Sequence, residues 1–395
     1  MSILLSGALS SAQPSVIDLS VVRAASAIAA WEPTQTDTAI VYCEANFGAI
    51  DGKTANGLVR HSERYRILSV IDSQLAGSDA GSVLDGTPNG IPVYRDLAQA
   101  VTEAGSVPDW FIFGMAPAIG RLSSHERGLL LAAIELGMNI VNGLHEFLND
   151  DAEFAAASKR MNVQILDIRR PETGRAPHTF SGRIDSVDCP RIAVLGTDCA
   201  IGKRTTATLL TRALKARGLN AVMIGTGQTG LIQGARYGIA LDAVPSQFCA
   251  GELEAKIVEA FERESPDVII IEGQGALSHP AYSTSSFILR GSRPHGVILQ
   301  HAPARTHRCD FEAMPMPSPA SEINLIQAFA ATRVIGLTLN HEHMSDAELE
   351  NTLVCYEREL GIPVTDALER PTERLSAMAI DAFPELARTI TALAG

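Results

Sequence analysis

Between Arg191 and Thr206, the apolar run Ile192-Ala193-Val194-Leu195 enters a turn bounded by Gly196 and Gly202 and leaves through Lys203, Arg204, Thr205 and Thr206. These residue types can hold phosphate. The glycines let the backbone curl until successive N–H groups converge on an anion, and the following helix adds the positive end of its dipole. Lys203 then meets the charge of a polyphosphate. A standard phosphate loop reads G-x-x-x-x-G-K-[ST], and the hydroxyl directly after the lysine ligates magnesium. Here five residues, Thr197, Asp198, Cys199, Ala200 and Ile201, separate the glycines, and Arg204 stands where the hydroxyl belongs. A cation at that place disfavours a metal and favours more phosphate. The expected ligand is phosphate-rich and needs no catalytic metal.

Other groups reach the same place if the chain forms an open parallel sheet, because ligands of such sheets lie beyond the carboxyl ends of the strands. Glu272 ends an apolar run at 266–271 and resembles the acid of a Walker-B strand, with helix capping as the plainer alternative. His279, in Ser278-His279-Pro280, is a candidate general base, and Glu272 is the second choice. His301, Gln228, Gln274 and Asn340 follow or precede strands on that edge. Arg236 and Arg305 can grip a substrate carboxylate bidentately. In the first half of the chain, Asn46, Lys53, Arg60 and Asp72 hold comparable strand-end positions.

The elements that must position these groups alternate between strand and helix. Strands are expected at 38–43, 65–72, 90–93, 109–114, 139–142 and 163–167, then at 191–195, 220–225, 266–271, 295–300 and 333–339. Ser123 with Glu126, and Ser345 with Glu348, spell capping boxes. Residues 226–230 read as a flexible glycine-rich loop. This α/β pattern predicts parallel sheets. We expect a Rossmann-like domain at 1–170, a linker at 171–190 rich in Pro, Gly, Arg and Ser, and a P-loop NTPase-like, doubly wound domain at 191–395.

With 46% apolar and 19% charged residues, the chain can bury proper cores. A formal charge of −13 argues against nucleic acid or a membrane surface as partner, since both reward basic faces. The six cysteines form no C-x-x-C pair, which suits a reducing cytoplasm rather than a disulfide or zinc framework. Residues 1–30 lack the basic and long apolar regions of a signal peptide and read as an amphipathic or extended lead-in.

The stretch Gly196-Thr197-Asp198-Cys199-Ala200-Ile201-Gly202-Lys203, with Ile271-Glu272-Gly273-Gln274-Gly275 and Thr338-Leu339-Asn340, resembles the dethiobiotin synthetase branch of P-loop proteins. Over about 41–366, the added motifs Gly52-Lys53-Thr54-Ala55, Ala276-Leu277-Ser278-His279-Pro280 and Gln300-His301-Ala302-Pro303 resemble a two-domain family, once of unknown function, of D-glutamate N-acetyltransferases. That resemblance implies acetyl transfer from acetyl-CoA to an amino acid, and CoA would lie along residues 196–206 and Asn340. The acceptor would then contact Gln228, Arg236, Gln274, His301 or Arg305. A homo-oligomer is expected. The dethiobiotin branch implies instead an ATP-dependent ligase or kinase, with Asp198, Thr205 and Glu272 on magnesium. A third reading is a nucleotide-binding regulator without turnover.

Overall fold

The structure is a computed structural model that describes residues 37–116, 120–172, 174–368 and 370–394. The expectation for residues 1–30 lies outside them. Six strands form the first sheet: β1 (Thr38–Tyr42), β2 (Arg66–Ile71), β3 (Val93–Tyr94), β4 (Trp110–Phe113), β5 (Asn139–Asn142) and β6 (Ile165–Asp167). Their order is β3-β2-β1-β4-β5-β6, and all neighbours are parallel. The order is that of a Rossmann sheet.

The second sheet holds β7 (Arg191–Gly196), β8 (Ala221–Gly225), β9 (Tyr237–Gly238), β10 (Val268–Glu272) and β11 (Gly296–His301). After a two-stranded hairpin, β12 (His307–Arg308) and β13 (Phe311–Pro315), it is completed by β14 (Arg333–Leu339) and β15 (Val364–Asp366). Its order is β15-β14-β11-β7-β10-β8-β9, again with parallel neighbours. Both sheets have the predicted class.

Alternation along β7 explains the layers. Ile192 and Val194 pack with Ala207, Leu210 and Leu214 of the helix Lys203–Ala216 and with Leu375 and Met378 of the helix Thr372–Ala382. Ala193 and Leu195 point the other way, toward Leu253 and Ile257 of the helix Ser246–Glu264. A strand buried on both faces has to be apolar throughout, which is why these runs are continuous rather than alternating. Both expected capping boxes form, at Ser123–Glu126 and at Ser345–Glu348. Among the described residues no helix is long and apolar enough to cross a membrane.

The described residues of the two sheets belong to one compact unit. Their seam is the helix Lys53–His61 packed against the helix Gln228–Gln233. Thr54 and Thr229 share a hydroxyl hydrogen bond of 2.9 Å, Gln233 Nε2 donates to the Gly57 carbonyl, and Glu63 N–H donates to the Gln233 carbonyl at 2.8 Å. Arg212 pairs with Glu63 at 2.9 Å, and Arg169 with Asp242 at 2.8 Å.

One expectation changes, and a second segment is packed more closely than its composition suggests. Residues 226–230 are not a mobile loop, because the helix begins at Gln228. Their glycines serve close packing: a Cβ on Gly230 would sit 2.2 Å from Glu272 Oε2. The segment 171–190 is not free of its neighbours either. Glu252 accepts from Arg175 and from the His178 N–H, each at 2.8 Å, while Glu254 accepts from the Ser181 N–H at 2.6 Å. Ile184 and Val187 are buried in the second core.

Just beyond β10, Gly273 passes so close to β7 that a Cβ there would lie 1.9 Å from the Val194 carbonyl oxygen. Backbone cannot yield as a side chain can. Gly273→Ala is expected to lower unfolding free energy by about 3 kcal/mol in urea titration, and a loss below about 0.5 kcal/mol would show that the strands separate freely.

Candidate active site

The cradle connects the carboxyl end of β7 to the helix Lys203–Ala216. Gly196 has no room for a side chain, since a Cβ would come within 2.9 Å of Lys203 Cδ and 3.0 Å of the Gln300 carbonyl. Gly202 has φ 105°, open to glycine and strained for other residues. No side chain caps this helix and no acid lies in its first turn, so its N–H groups remain suited to an anion. Lys203 is buried and its Nζ donates to the Asp198 carbonyl oxygen. Burial pulls its pKa down to about 8, against the opposing pull of Cys199 and Asp198.

Other predicted residues brace the loop from behind. Arg305 pairs with Glu342 and donates to the carbonyls of Cys199 at 3.2 Å and Ala200 at 2.9 Å. Ala200 is held at φ 49°, a strained value for a residue with a Cβ. Asn340 takes the Glu342 N–H at 3.0 Å and its own N–H donates to the His301 carbonyl at 2.7 Å. Buried His301 shares a 2.9 Å hydrogen bond with Thr197 Oγ1, and burial lowers its pKa to about 4. Thr206 donates to Gln300 Oε1 at 2.6 Å, Ile201 is fully buried, and Thr205 is half-buried on the same first turn.

Four predicted roles need correction. Arg204 does not turn into the cradle: Nη1 reaches the Lys53 carbonyl at 3.4 Å, and a Cβ on Gly57 would lie 2.3 Å from Nη2. It belongs to the seam between the domains. Arg305 spends its charge on Glu342 and the loop carbonyls. Arg236 pairs with Glu264 at 2.7 Å. It precedes β9 and so lies at the amino end of a parallel sheet, away from the cradle. Glu272 is turned to backbone instead: its Oε2 accepts the Thr226 N–H at 3.0 Å, one residue before Gly227, the N-cap of the helix Gln228–Gln233. Burial raises its pKa, while Arg204 pulls the other way.

Gln228 is buried against the first domain, 3.4 Å from where a Cβ on Gly143 would be. Gln274 lies beside Gly227, and its carbonyl accepts from Ser285 Oγ at 2.5 Å. In the first domain, Arg60 pairs with Asp85 and Asp72 accepts the Phe47 N–H, so both hold local structure. Asn46 Nδ2 donates to the Glu44 carbonyl at 2.9 Å.

At the centre, His279 Nε2 faces Asp198 Oδ1 at 3.6 Å, with both side chains fully shielded. Neither atom has a hydrogen-bond partner. Asp198 Oδ2 accepts the Cys309 N–H at 2.6 Å. His279 Nδ1 accepts the Ala281 N–H at 3.2 Å, so in the neutral ring the proton sits on Nε2 and points at Asp198. Burial lowers the His279 pKa and favours that neutral ring, with Asp198 opposing. His279, expected as a general base, therefore presents an N–H on the side of Asp198, whose Oδ1 has no hydrogen-bond partner. Cys199 completes a trio whose ligand-type atoms lie within 4.8 Å of one another. An Nε2–H directed inward and buried Lys203 beside it fit a metal poorly. Burial also raises the Cys199 pKa, which keeps it a thiol.

Sequence reasoning missed the cover. The hairpin β12–β13 lays Phe311 edge-on to His279, at 5.5 Å between ring centres, and Tyr282 stacks on its other side at 4.6 Å. It also missed buried Glu322, which accepts from Leu277 N–H at 2.7 Å, Ser278 N–H at 3.1 Å and Ser278 Oγ at 2.5 Å. The Met-Pro-Met-Pro run at 314–317 hid the hairpin's second strand.

An anion in the cradle favours protonated Lys203, whose free pKa is about 8. Corrected for pyrophosphate's own ionisation across this range, its affinity should therefore hold steady below that pH and fall by about tenfold per unit above it, until the bound lysine itself titrates. Calorimetric titration across pH 6.5–10 reads this, and Lys203→Met should abolish the slope.

Residues 178–376 match the family described as "Domain of unknown function (DUF1611_C) P-loop domain", and residues 73–171 match "Domain of unknown function (DUF1611_N) Rossmann-like domain". The chain is 33% identical over 298 residues to a D-glutamate N-acetyltransferase of Pseudoalteromonas sp, covering 73% of this chain and 87% of that protein. It is 31% identical over 271 residues to a D-glutamate N-acetyltransferase of Tritonibacter scottomollicae, covering 67% and 79%. A crystal structure of a DUF1611 family protein from Anabaena variabilis superposes with a TM-score of 0.79 at 29% identity, covering 89% of this chain and all of that one. Its phosphate-type cradle, its two parallel sheets and its similarity to these relatives place the chain in the DUF1611 family, together with the curated D-glutamate N-acetyltransferases.

Proposed function

We propose that this protein moves the acetyl group of acetyl-CoA to the amine of D-glutamate or a related D-amino acid. The observation that carries this reading is the likeness, across both domains, to two proteins named D-glutamate N-acetyltransferase. The cradle is compatible with the donor. CoA carries a diphosphate and a ribose phosphate, and the loop N–H groups with Lys203 can meet that charge without a cation.

The acceptor arrives as an ammonium. Asp198 Oδ1 takes one proton as the nitrogen attacks the thioester carbonyl, and the His279 Nε2–H steadies the carboxylate. The Gln274 amide, which follows β10, receives the oxyanion in this reading. When the tetrahedral adduct collapses, the C–S bond breaks and the CoA thiolate takes the proton from Asp198. Asp198, free again, takes the second amine proton from the acetylated nitrogen and gives it to water when the hairpin reopens. Because Asp198 and His279 are shielded, the acceptor enters when the hairpin lifts, and reclosure keeps water from the thioester.

Mass spectrometry of the protein with acetyl-CoA and a panel of D- and L-amino acids tests the reaction. Asp198→Asn should cut turnover by about a thousandfold while leaving the CoA-induced rise in melting temperature intact. Glu272→Gln should keep most turnover. Acetyl transfer that requires ATP and magnesium, or full activity in Asp198→Asn, would sink the reading.

A further inference from the structure

The arginines expected to hold the acceptor's carboxylates are committed elsewhere, and the structure offers a replacement on the hairpin. Arg308, in β12, is half-buried over the cradle. Its Nη1 donates to the Thr197 carbonyl at 3.3 Å, and its Nη2 donates to Ser278 Oγ at 2.7 Å and the Ser278 carbonyl at 3.4 Å. All these acceptors are neutral oxygens. By contrast Arg305, three residues earlier, is neutralised by Glu342. The nearest acid on the hairpin, Asp310, accepts from Tyr282 Oη at 3.2 Å.

A guanidinium that gives up part of its hydration without gaining a carboxylate gives up solvation energy that a ligand can restore. Its planar fork matches a carboxylate in two parallel bonds. The anchoring is already in place. Ser278 Oγ donates to Glu322 at 2.5 Å, which leaves its lone pair for Arg308. Thr197 is part of the cradle itself, so Arg308 stands one residue from Asp198.

We infer that Arg308 is the carboxylate-binding residue of the acceptor site, and that it selects acidic amino acids by meeting one of their carboxylates beside Asp198. Lys53 supplies a second cation, from the first domain. It is exposed at the first position of the helix Lys53–His61, whose N-terminus has no capping side chain and no acid in its first turn. It lies near enough to Cys199 and Lys203 to bear on the charge of both. A dicarboxylate thus has two cations to span, one from each domain.

This inference rests on the acetyl-transfer reading for the identity of the acceptor, and calorimetry separates the two. D-Glutamate and D-glutamine are titrated into wild type, Arg308→Ala and Arg308→Lys, and turnover is measured in parallel. Arg308→Ala should weaken D-glutamate binding and raise its KM by about fiftyfold or more, with the KM for acetyl-CoA within about twofold. Arg308→Lys should recover part of the loss. Sparing of D-glutamine assigns the side-chain carboxylate to Arg308, whereas an equal loss at an unchanged melting temperature would put Arg308 on the α-carboxylate that both share and overturn its role in selecting acidic amino acids. A purely structural role would move both substrates and the melting temperature together. An unchanged D-glutamate KM, or a rise confined to acetyl-CoA, overturns the inference. If D-glutamate binds through Arg308 and no acetylation occurs, the acetyl-transfer reading fails alone.

Discussion

Two cations follow one another at the start of a single helix, and each is drawn out of water. Removing charge from solvent is expensive unless it is paired or bonded, so the chain must dispose of Lys203 and Arg204 separately. Successive helix residues point about 100° apart, which sends them to different neighbours. Lys203 bends back to the Asp198 carbonyl, and burial brings its pKa to about 8. Arg204 turns to the Lys53 carbonyl of the other domain, where burial lowers its pKa to about 10 while Glu272 opposes the shift. One helical turn therefore sends one residue back into the loop and the next to the seam. The arginine that displaces a magnesium hydroxyl from the sequence pattern is a structural cation.

Because of that arrangement, cradle and seam share their supports. Glu272 ends β10, receives the Thr226 N–H and lies close to Gly230. The helix that starts there carries Thr229 and Gln233 to the first domain's Thr54 and Gly57. A change at the seam is thus felt within two side chains of Lys203. This coupling follows from packing, since a buried acid between two cations leaves few alternative arrangements.

What could be read from the sequence was local or periodic. The buried strands, both capping boxes and the Gly196–Gly202 turn depend on residues a few positions apart, and all of them form. Side-chain partners were not readable in the same way. Arg204 meets a carbonyl 151 positions away, and Arg305 an acid 37 positions away. Nothing in the type of an arginine says whether it will face a ligand, an acid or a backbone oxygen. Gly227 and Gly230 misled for a related reason. Glycine marks flexibility and close approach with the same letter, and here the neighbouring side chains of Gln274 and Glu272 require the second.

The direction of the proton at the centre comes from a small feature of covalent structure. Pro280 has no N–H, so the first backbone donor after His279 is that of Ala281, and it points back at Nδ1. The loop can hold that shape because buried Glu322 binds the Leu277 and Ser278 N–H groups and the Ser278 hydroxyl. With Nδ1 occupied, the ring has only Nε2–H to offer Asp198. A histidine that looks from its sequence like a base is turned into a donor, and the carboxylate beside it keeps the free lone pair. Which ring nitrogen carries the proton is thus fixed by a proline beside the histidine and a glutamate more than forty positions away, not by residue type alone.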